Sequence, residues 1–381
     1  MTDHGYIPAT ADSKRLALEE GFFAPIGGLQ QWLTIRGANA RNPVLLIVGG
    51  PGYALSALAP FFAPWESSFT LVQWDQPGAG ATHANKDNPP LDRLPLTRLI
   101  DDGLAVVELV CRRMRVDKLL VLGLSGGSAV ALSMVSQRPE RFAGYAGCGQ
   151  IVNWARQNAL SYKLICKQAR DSGNSSALDE LERIGPPPYL DSACDAVKAK
   201  YAAAMTADEQ AAFASLDPAT LAALRTPPAA ATYVPSDMVL EDPRTLSFET
   251  YTRLREELQR FDANSLGRYF SMPLLFLQGE HDAFTITSDV RQFASQLIAP
   301  KVELAMIPGG GHNCIFLRDL VLVELTARFA QLEPTTATVA VAERGGYRPV
   351  VFRIPLRSAV SVSGLPVNIC SGYCANFSMF A

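Results

Sequence analysis

At 381 residues, 48% of them hydrophobic and 19% charged, the chain is long enough for a large core and too apolar to be disordered. A formal net charge of −3 gives no electrostatic reason to expect a nucleic-acid partner. Seven cysteines without a CxxC pair make a poor disulfide framework, and no apolar run is long enough to cross a membrane, so a reducing, cytoplasmic compartment is expected.

Residues 1–18 read as a poorly ordered arm. Strand-like runs over 21–26 and 29–36 flank Gly27-Gly28, a hairpin signal. The run 43–48, Pro-Val-Leu-Leu-Ile-Val, predicts a strand buried on both faces, and it leads into Gly49-Gly50-Pro51-Gly52, which cannot be regular structure. A further strand over 69–74 ends in Asp75-Gln76-Pro77-Gly78-Ala79-Gly80. Over 96–114, Leu96, Ile100, Leu104, Val107 and Cys111 recur at helical spacing. Four apolar residues, 119–122, predict another buried strand; a helix through Ala129, Val130, Leu132 and Met134 follows, then a strand over 142–148 after Arg138-Pro139.

From about 151 to 268 the pattern changes. Ala-rich helical segments over 201–216 and 219–224 appear, broken by Pro186-Pro187-Pro188 and Pro227-Pro228. Strand 273–278, helix 288–297, strand 301–307 and helix 315–332 then resume the alternation. The expected architecture is α/β: a mostly parallel sheet flanked by helices, built from 19–150 and 269–332, with a helical cap over 151–268. Residues 333–381 are expected to be an extension, with a strand over 347–354 and disorder elsewhere.

Between the strand at 119–122 and its helix lies Gly123-Leu124-Ser125-Gly126-Gly127, a Gly-x-Ser-x-Gly. Strand, tight turn and helix are the context in which a serine is strained and lifted clear of the sheet as a nucleophile. The motif alone also fits an ordinary Gly-rich turn. A serine hydroxyl attacks only if a base takes its proton and a third group orients that base. Of four histidines, His4 lies in the arm, His83 in a polar stretch and His281 beside a candidate acid. His312 follows Gly309-Gly310-Gly311 at the carboxyl end of a strand, where open α/β sheets place their sites. A loop histidine is by default a solvated surface residue, but the glycines let this loop bend toward the serine.

The acid should fall between serine and histidine in chain order. Asp282, in Gly279-Glu280-His281-Asp282, is the first choice and Glu280 the runner-up. Two N–H donors must receive the oxyanion. Gly126, after the serine, supplies one, and Gly50, in the loop after the first parallel strand, is expected to supply the other. No cofactor or metal is expected: the histidines are too few and dispersed for paired ligands, and Cys370 and Cys374 have no partners for a zinc site.

In combination these residues resemble the α/β-hydrolase fold and, within it, the proline iminopeptidase (prolyl aminopeptidase) family of serine peptidases. The family pattern His-Gly-Gly-Pro-Gly is met by Val48-Gly49-Gly50-Pro51-Gly52, Asp-Gln-Arg-Gly-x-Gly-x-Ser by residues 75–82, and Gly-Gly-Ser-Trp-Gly-Ser by residues 123–128. The likeness spans about 20–332. It implies a triad of Ser125, Asp282 and His312, and a substrate that is a small peptide with N-terminal proline or a similar small residue. Val48, Pro77, Thr82 and Gly126 depart from the pattern. Family members hold the substrate amine with cap acids, and Glu180, Glu182, Glu241, Asp242, Glu256 and Glu257 are the candidates here. A small-molecule esterase or amidase is the alternative, and a silent binding protein a distant third, since serine and histidine are both retained.

Overall fold

The computed structural model describes residues 17–91, 93–189, 191–225 and 243–330. Its organising layer is a sheet of eight strands in the order β1-β2-β4-β3-β5-β6-β7-β8. The strands are β1 (Leu18–Ile26), β2 (Leu29–Gly37), β3 (Val44–Val48), β4 (Thr70–Trp74), β5 (Leu119–Leu124), β6 (Phe142–Cys148), β7 (Leu274–Gly279) and β8 (Val302–Ile307). β1 and β2 form an antiparallel hairpin and β2 meets β4 antiparallel; every pair from β4 to β8 is parallel. β3, β4 and β5 are buried along their whole length, as apolar runs without alternation require when helices cover both faces.

The helices in chain order are α1 (Ala59–Phe62), α2 (Gly80–Ala84), α3 (Leu96–Met114), α4 (Gly126–Gln137), α5 (Trp154–Asp171), α6 (Ser175–Ile184), α7 (Ser192–Ala202), α8 (Ala207–Ala214), α9 (Pro218–Arg225), α10 (Pro243–Arg260), α11 (Thr287–Ala294) and α12 (Arg318–Phe329). α3 ends on Arg115 in the left-handed conformation, φ 56°, whose N–H closes on the Cys111 carbonyl. Two apolar clusters fill the faces of the sheet. One gathers α3, α4 and α11 around Leu46, Val121, Tyr145 and Phe276; the other gathers α12 and the segment around Phe61, Phe62 and Trp65 over Leu45, Leu122 and Leu275.

The segment between β6 and β7 is helical, α5 to α10, with no strand among its described residues. The expectation of one helix over 201–216 fails. α7 ends at Ala202 and α8 starts at Ala207, because Thr206 caps the new helix: its hydroxyl accepts from Glu209 N, and the Glu209 carboxylate accepts from Thr206 N. The helix expected over 315–332 begins later, at Arg318, after a single tight turn over Cys314–Phe316. The arm to residue 16, Glu241, Asp242, Pro227-Pro228, the strand expected over 347–354 and the rest of the extension lie outside the described residues.

Candidate active site

β5 stops at Leu124 and α4 starts at Gly126, so one residue must turn the chain from strand to helix. Ser125 does so with φ 48° and ψ −119°, a conformation a side chain adopts at a cost of about 1–3 kcal/mol. The surroundings hold it there. Ser125 N–H donates to the Cys148 carbonyl at 2.8 Å, and the Ser125 carbonyl accepts from Ser128 N at 2.8 Å and from the Ser128 hydroxyl at 2.6 Å. The glycines let the elbow close. A Cβ on Gly127 would lie 2.2 Å from the Val48 carbonyl oxygen, and one on Gly123 2.5 Å from the Ser128 Cα.

β8 delivers the base. After Ile307 the chain turns through Gly309, Gly310 and Gly311, and His312 is buried with 4% exposure rather than solvated. Its Nε2 lies 2.8 Å from Ser125 Oγ, across 187 residues of sequence. Its Nδ1 lies 3.1 Å from Asp282 Oδ2. The first-choice acid is therefore the one brought to the base, and Glu280 is not: its side chain is 56% exposed and accepts from Gly309 N at 3.3 Å. His281 also points to solvent, 60% exposed.

Asp282 sits at the tip of β7 with both oxygens saturated. Oδ2 accepts from His312 Nδ1, from Gln278 Nε2 at 2.9 Å and from the Thr285 hydroxyl at 2.6 Å; Oδ1 accepts from Phe284 N at 2.7 Å and Thr285 N at 2.8 Å. Burial pushes the carboxyl group up, but the charge and hydrogen bond of His312 and the donors of Thr285 outweigh it, so Asp282 stays below the ordinary aspartate range. An ionised carboxylate only accepts, so Nδ1 carries the proton and Nε2 presents its lone pair to Ser125. That arrangement can draw a proton from a serine hydroxyl.

Above the elbow, the Gly49–Gly52 loop crosses within contact of Gly126: a Cβ there would meet Pro51 Cδ at 3.2 Å and Gly50 Cα at 3.7 Å. Gln76 fixes the loop, donating from Nε2 to the Gly49 carbonyl at 2.9 Å. Gln76 belongs to the Asp75-Gln76 motif, whose aspartate is fully buried and holds Ser56 N at 3.0 Å, the Ser56 hydroxyl at 2.6 Å and Ala81 N at 2.9 Å. Burial pushes Asp75 up to about 6.

The cap meets this site through residues that sequence reasoning passed over. Glu209 is buried at the start of α8, and its Oε1 accepts from Gly311 N at 2.7 Å. The Thr206 hydroxyl donates to the Gly309 carbonyl at 2.7 Å, and Asn313 Nδ2 to the Ala203 carbonyl at 2.7 Å. The stretch from Ala203 to Glu209 thus grips the loop on both sides of His312. A Thr-x-x-Glu capping box was the signal that could have found Thr206 and Glu209. Lys198 on α7 is the second such residue, 2% exposed, its ammonium 4.0 Å from the centre of the Phe284 ring.

The acids expected to face the serine are engaged elsewhere, where they can be described. Glu180 accepts from Lys200 at 2.7 Å and Tyr201 at 2.9 Å; Glu182 lies 3.5 Å from Arg170, Glu256 lies 3.6 Å from Arg260, and Glu257 accepts from Leu96 N at 2.7 Å. Among the described residues no group of three or more His, Cys, Asp or Glu side chains is placed to hold a metal ion, and no helix is long and apolar enough to cross a membrane.

An eight-stranded, mostly parallel sheet with a strained serine elbow between β5 and α4, and a histidine loop after β8, defines the α/β-hydrolase class. Residues 38–319 match the family described as "Serine aminopeptidase, S33", and the chain belongs to that family. It is 27% identical over 296 residues to the "Probable aminopeptidase YbaC" of Bacillus subtilis (strain 168), an alignment covering 76% of this chain and 89% of that one. Among solved structures it resembles a proline iminopeptidase-related protein of Thermus thermophilus, with TM-score 0.56, 19% identity, and 83% and 99% of the two chains covered. It also resembles the 2-hydroxy-6-oxo-6-phenylhexa-2,4-dienoate hydrolase of a Rhodococcus species, with TM-score 0.53, 18% identity, and 82% and 98% covered. At these identities the two structures establish the fold, and with the family they make the chain a hydrolase of the α/β-hydrolase type.

Proposed function

We propose that the chain is a serine hydrolase that cleaves an amide or ester bond of a small substrate through an acyl-enzyme on Ser125. The observation that carries this reading is the unbroken relay Ser125 Oγ, His312 Nε2, His312 Nδ1, Asp282 Oδ2, at 2.8 and 3.1 Å. His312 takes the hydroxyl proton as Ser125 attacks the carbonyl carbon, and returns it to the leaving amine or alcohol. Asp282 keeps the imidazole in the required tautomer and offsets its charge. The backbone N–H groups of Gly126 and Gly50 receive the oxyanion. Water, deprotonated by the same imidazole, then frees the acyl group and restores Ser125.

For the substrate, the family and the printed name of the Bacillus relative support an aminopeptidase, with N-terminal proline or a similar small residue in first place. A small-molecule esterase or amidase is the second reading, and the charge of the cap's described residues supports it. An ammonium taken from water needs a carboxylate partner. Near His312 the cap supplies a buried lysine, while Glu209 is committed to Gly311 and Asp195 to Arg255, 3.2 Å away. The test is a panel of proline arylamide, alanine arylamide and short acyl esters, assayed side by side. An aminopeptidase prefers the unblocked arylamides over their N-acetylated forms by at least about 100-fold, the equivalent of one lost charged partner. Equal rates on blocked and free forms, with faster turnover of the esters, leave the esterase reading in place.

A further inference from the structure

Lys198 is the least expected side chain near the site. Lysines on a cap helix ordinarily run their stems along the surface and keep the ammonium in water. Lys200, two residues on, does so and pairs with Glu180. Lys198 instead turns inward, and its Nζ donates to the Asn158 side-chain carbonyl on α5 at 2.5 Å. It stands over the Phe284 ring, 4.0 Å from its centre. The Phe284 ring stacks on the imidazole of His312, with centres 4.5 Å apart and planes 30° from parallel. The ring therefore lies against both the imidazole and the ammonium. Phe284 N–H donates to Asp282 Oδ1. Phe284 therefore touches the acid through its backbone, and the base and the cap through its ring.

The charged groups around Lys198 come from several elements. Asp195 lies one turn earlier on α7 and pairs with Arg255 on α10. Asp282 lies in the turn after β7, and His312 lies behind Phe284. Asn158, the direct partner, is neutral. Burial pushes the Lys198 ammonium down to about 7, against the opposing pull of Asp195 and Asp282. Its charge thus changes near neutral pH, and with it the attraction of a cation for the face of an aromatic ring.

We propose that Lys198 is a positioning residue for the His312 base: its ammonium seats Phe284 against the imidazole and so couples the cap to the Ser125 relay. The proposal rests on the reading of Ser125, His312 and Asp282 given above. Phe284 seated flat limits the rotation of an imidazole that must face Ser125 on one edge and Asp282 on the other. When the cation is lost, the ring loses that seat, and the orientation of the imidazole within its loop rests on its hydrogen bonds to Asp282 and Ser125.

The test uses Lys198→Met, of similar length and uncharged, and Lys198→Arg, which stays cationic. Turnover of a short acyl ester is followed across pH 5–10. The His312 Nδ1 proton is followed by its downfield NMR signal. In the parent, kcat should fall with rising pH above neutrality as the ammonium loses its proton, and Lys198→Arg should remove that fall while retaining most of the turnover. Lys198→Met should lower kcat about tenfold, more than it changes KM, and should broaden or shift the Nδ1 signal. A folded Lys198→Met with kcat within twofold of the parent, the same pH profile and the same Nδ1 signal would overturn the proposal. If Lys198→Met does not fold, Phe284→Leu decides. With the ring gone, Lys198→Arg should no longer change the pH profile, and a profile that still changes would mean that Lys198 acts without Phe284. Labelling of Ser125 by a fluorophosphonate separates the two levels. Labelling without the Lys198 effects rejects the positioning role alone; failure to label rejects the hydrolase reading beneath it.

Discussion

The two sides of the candidate site are built on different principles. On the sheet side, Ser125, Asp282 and His312 stand at the ends of three parallel strands, β5, β7 and β8, each fixed by the register of its neighbours and by carbonyls and amides that cannot move independently. On the cap side, Lys198 and Glu209 hang from α7 and α8, short helices joined by a four-residue link and capped by their own side chains. The sheet side places its strain at the proposed nucleophile, in the φ of Ser125. The cap side holds buried charge, which lowers stability. A rigid frame can carry the reacting atoms, and a separate helical layer can vary around them, which is how one fold accommodates many substrates.

The comparison is sharpest at the acid. Asp282→Asn should lower kcat by about 10⁴-fold with little change in KM, because an amide in place of the carboxylate favours the wrong imidazole tautomer. Glu280→Gln, two residues away and exposed, should stay within about threefold. Steady-state kinetics of the two variants on one ester checks the pair, and a crippled Glu280→Gln beside a mild Asp282→Asn would move the acid.

On the cap side, stability is the larger effect. The ordinary lysine value is 10.5 and the buried Lys198 lies near 7, so between these limits the unfolded chain holds more protons than the folded one. Stability of the parent therefore rises with pH across that window, by at most about 1.4 kcal/mol per pH unit, and below pH 7 the full penalty applies. Lys198→Met lacks the penalty. It should be more stable than the parent by about 2–4 kcal/mol at pH 6, with the gain fading toward pH 10, as chemical denaturation at the two pH values will show. A gain that does not depend on pH would mean that Lys198 titrates in the fold as it does in the unfolded chain and keeps its charge across the whole window.

Glu209→Ala is the smallest of the three. It frees Gly311 N and Thr206 N together and loosens one side of the His312 loop, so kcat should fall about tenfold while KM moves less. Glu209→Gln keeps one acceptor and should recover part of the loss. An equal fall in both variants would point to the negative charge beside His312 rather than to the clamp.

The contrast between the two sides also explains what could be read from the chain. Buried parallel strands announce themselves as apolar runs, and the predicted β6 and α3 coincide with the observed elements. Gly-x-Ser-x-Gly carries its context on either side, and chain order placed an acid between serine and histidine. Lys198 carried no such mark, and Glu209 was marked only as half of a capping box. A charged residue on an Ala-rich helix reads as a solvated face, and only tertiary packing buries it. Glu180, Glu182, Glu256 and Glu257, expected to offer a carboxylate to the serine, turn to other partners for the same reason: sequence spacing does not say which side of a cap helix faces inward. The break between α7 and α8 was legible in Thr206 and Glu209, but alanine on both sides, with its strong helix propensity, masked it.

The central claim is that Ser125 is the nucleophile and His312 its base, and covalent labelling tests it most directly. Intact protein treated with a fluorophosphonate should gain a single adduct, and peptide mass spectrometry should place it on Ser125. Ser125→Ala should gain none, and His312→Gln should react at least about 100-fold more slowly, as expected when a base no longer assists the attack. Labelling of a different residue, or undiminished labelling of Ser125→Ala, would contradict the account.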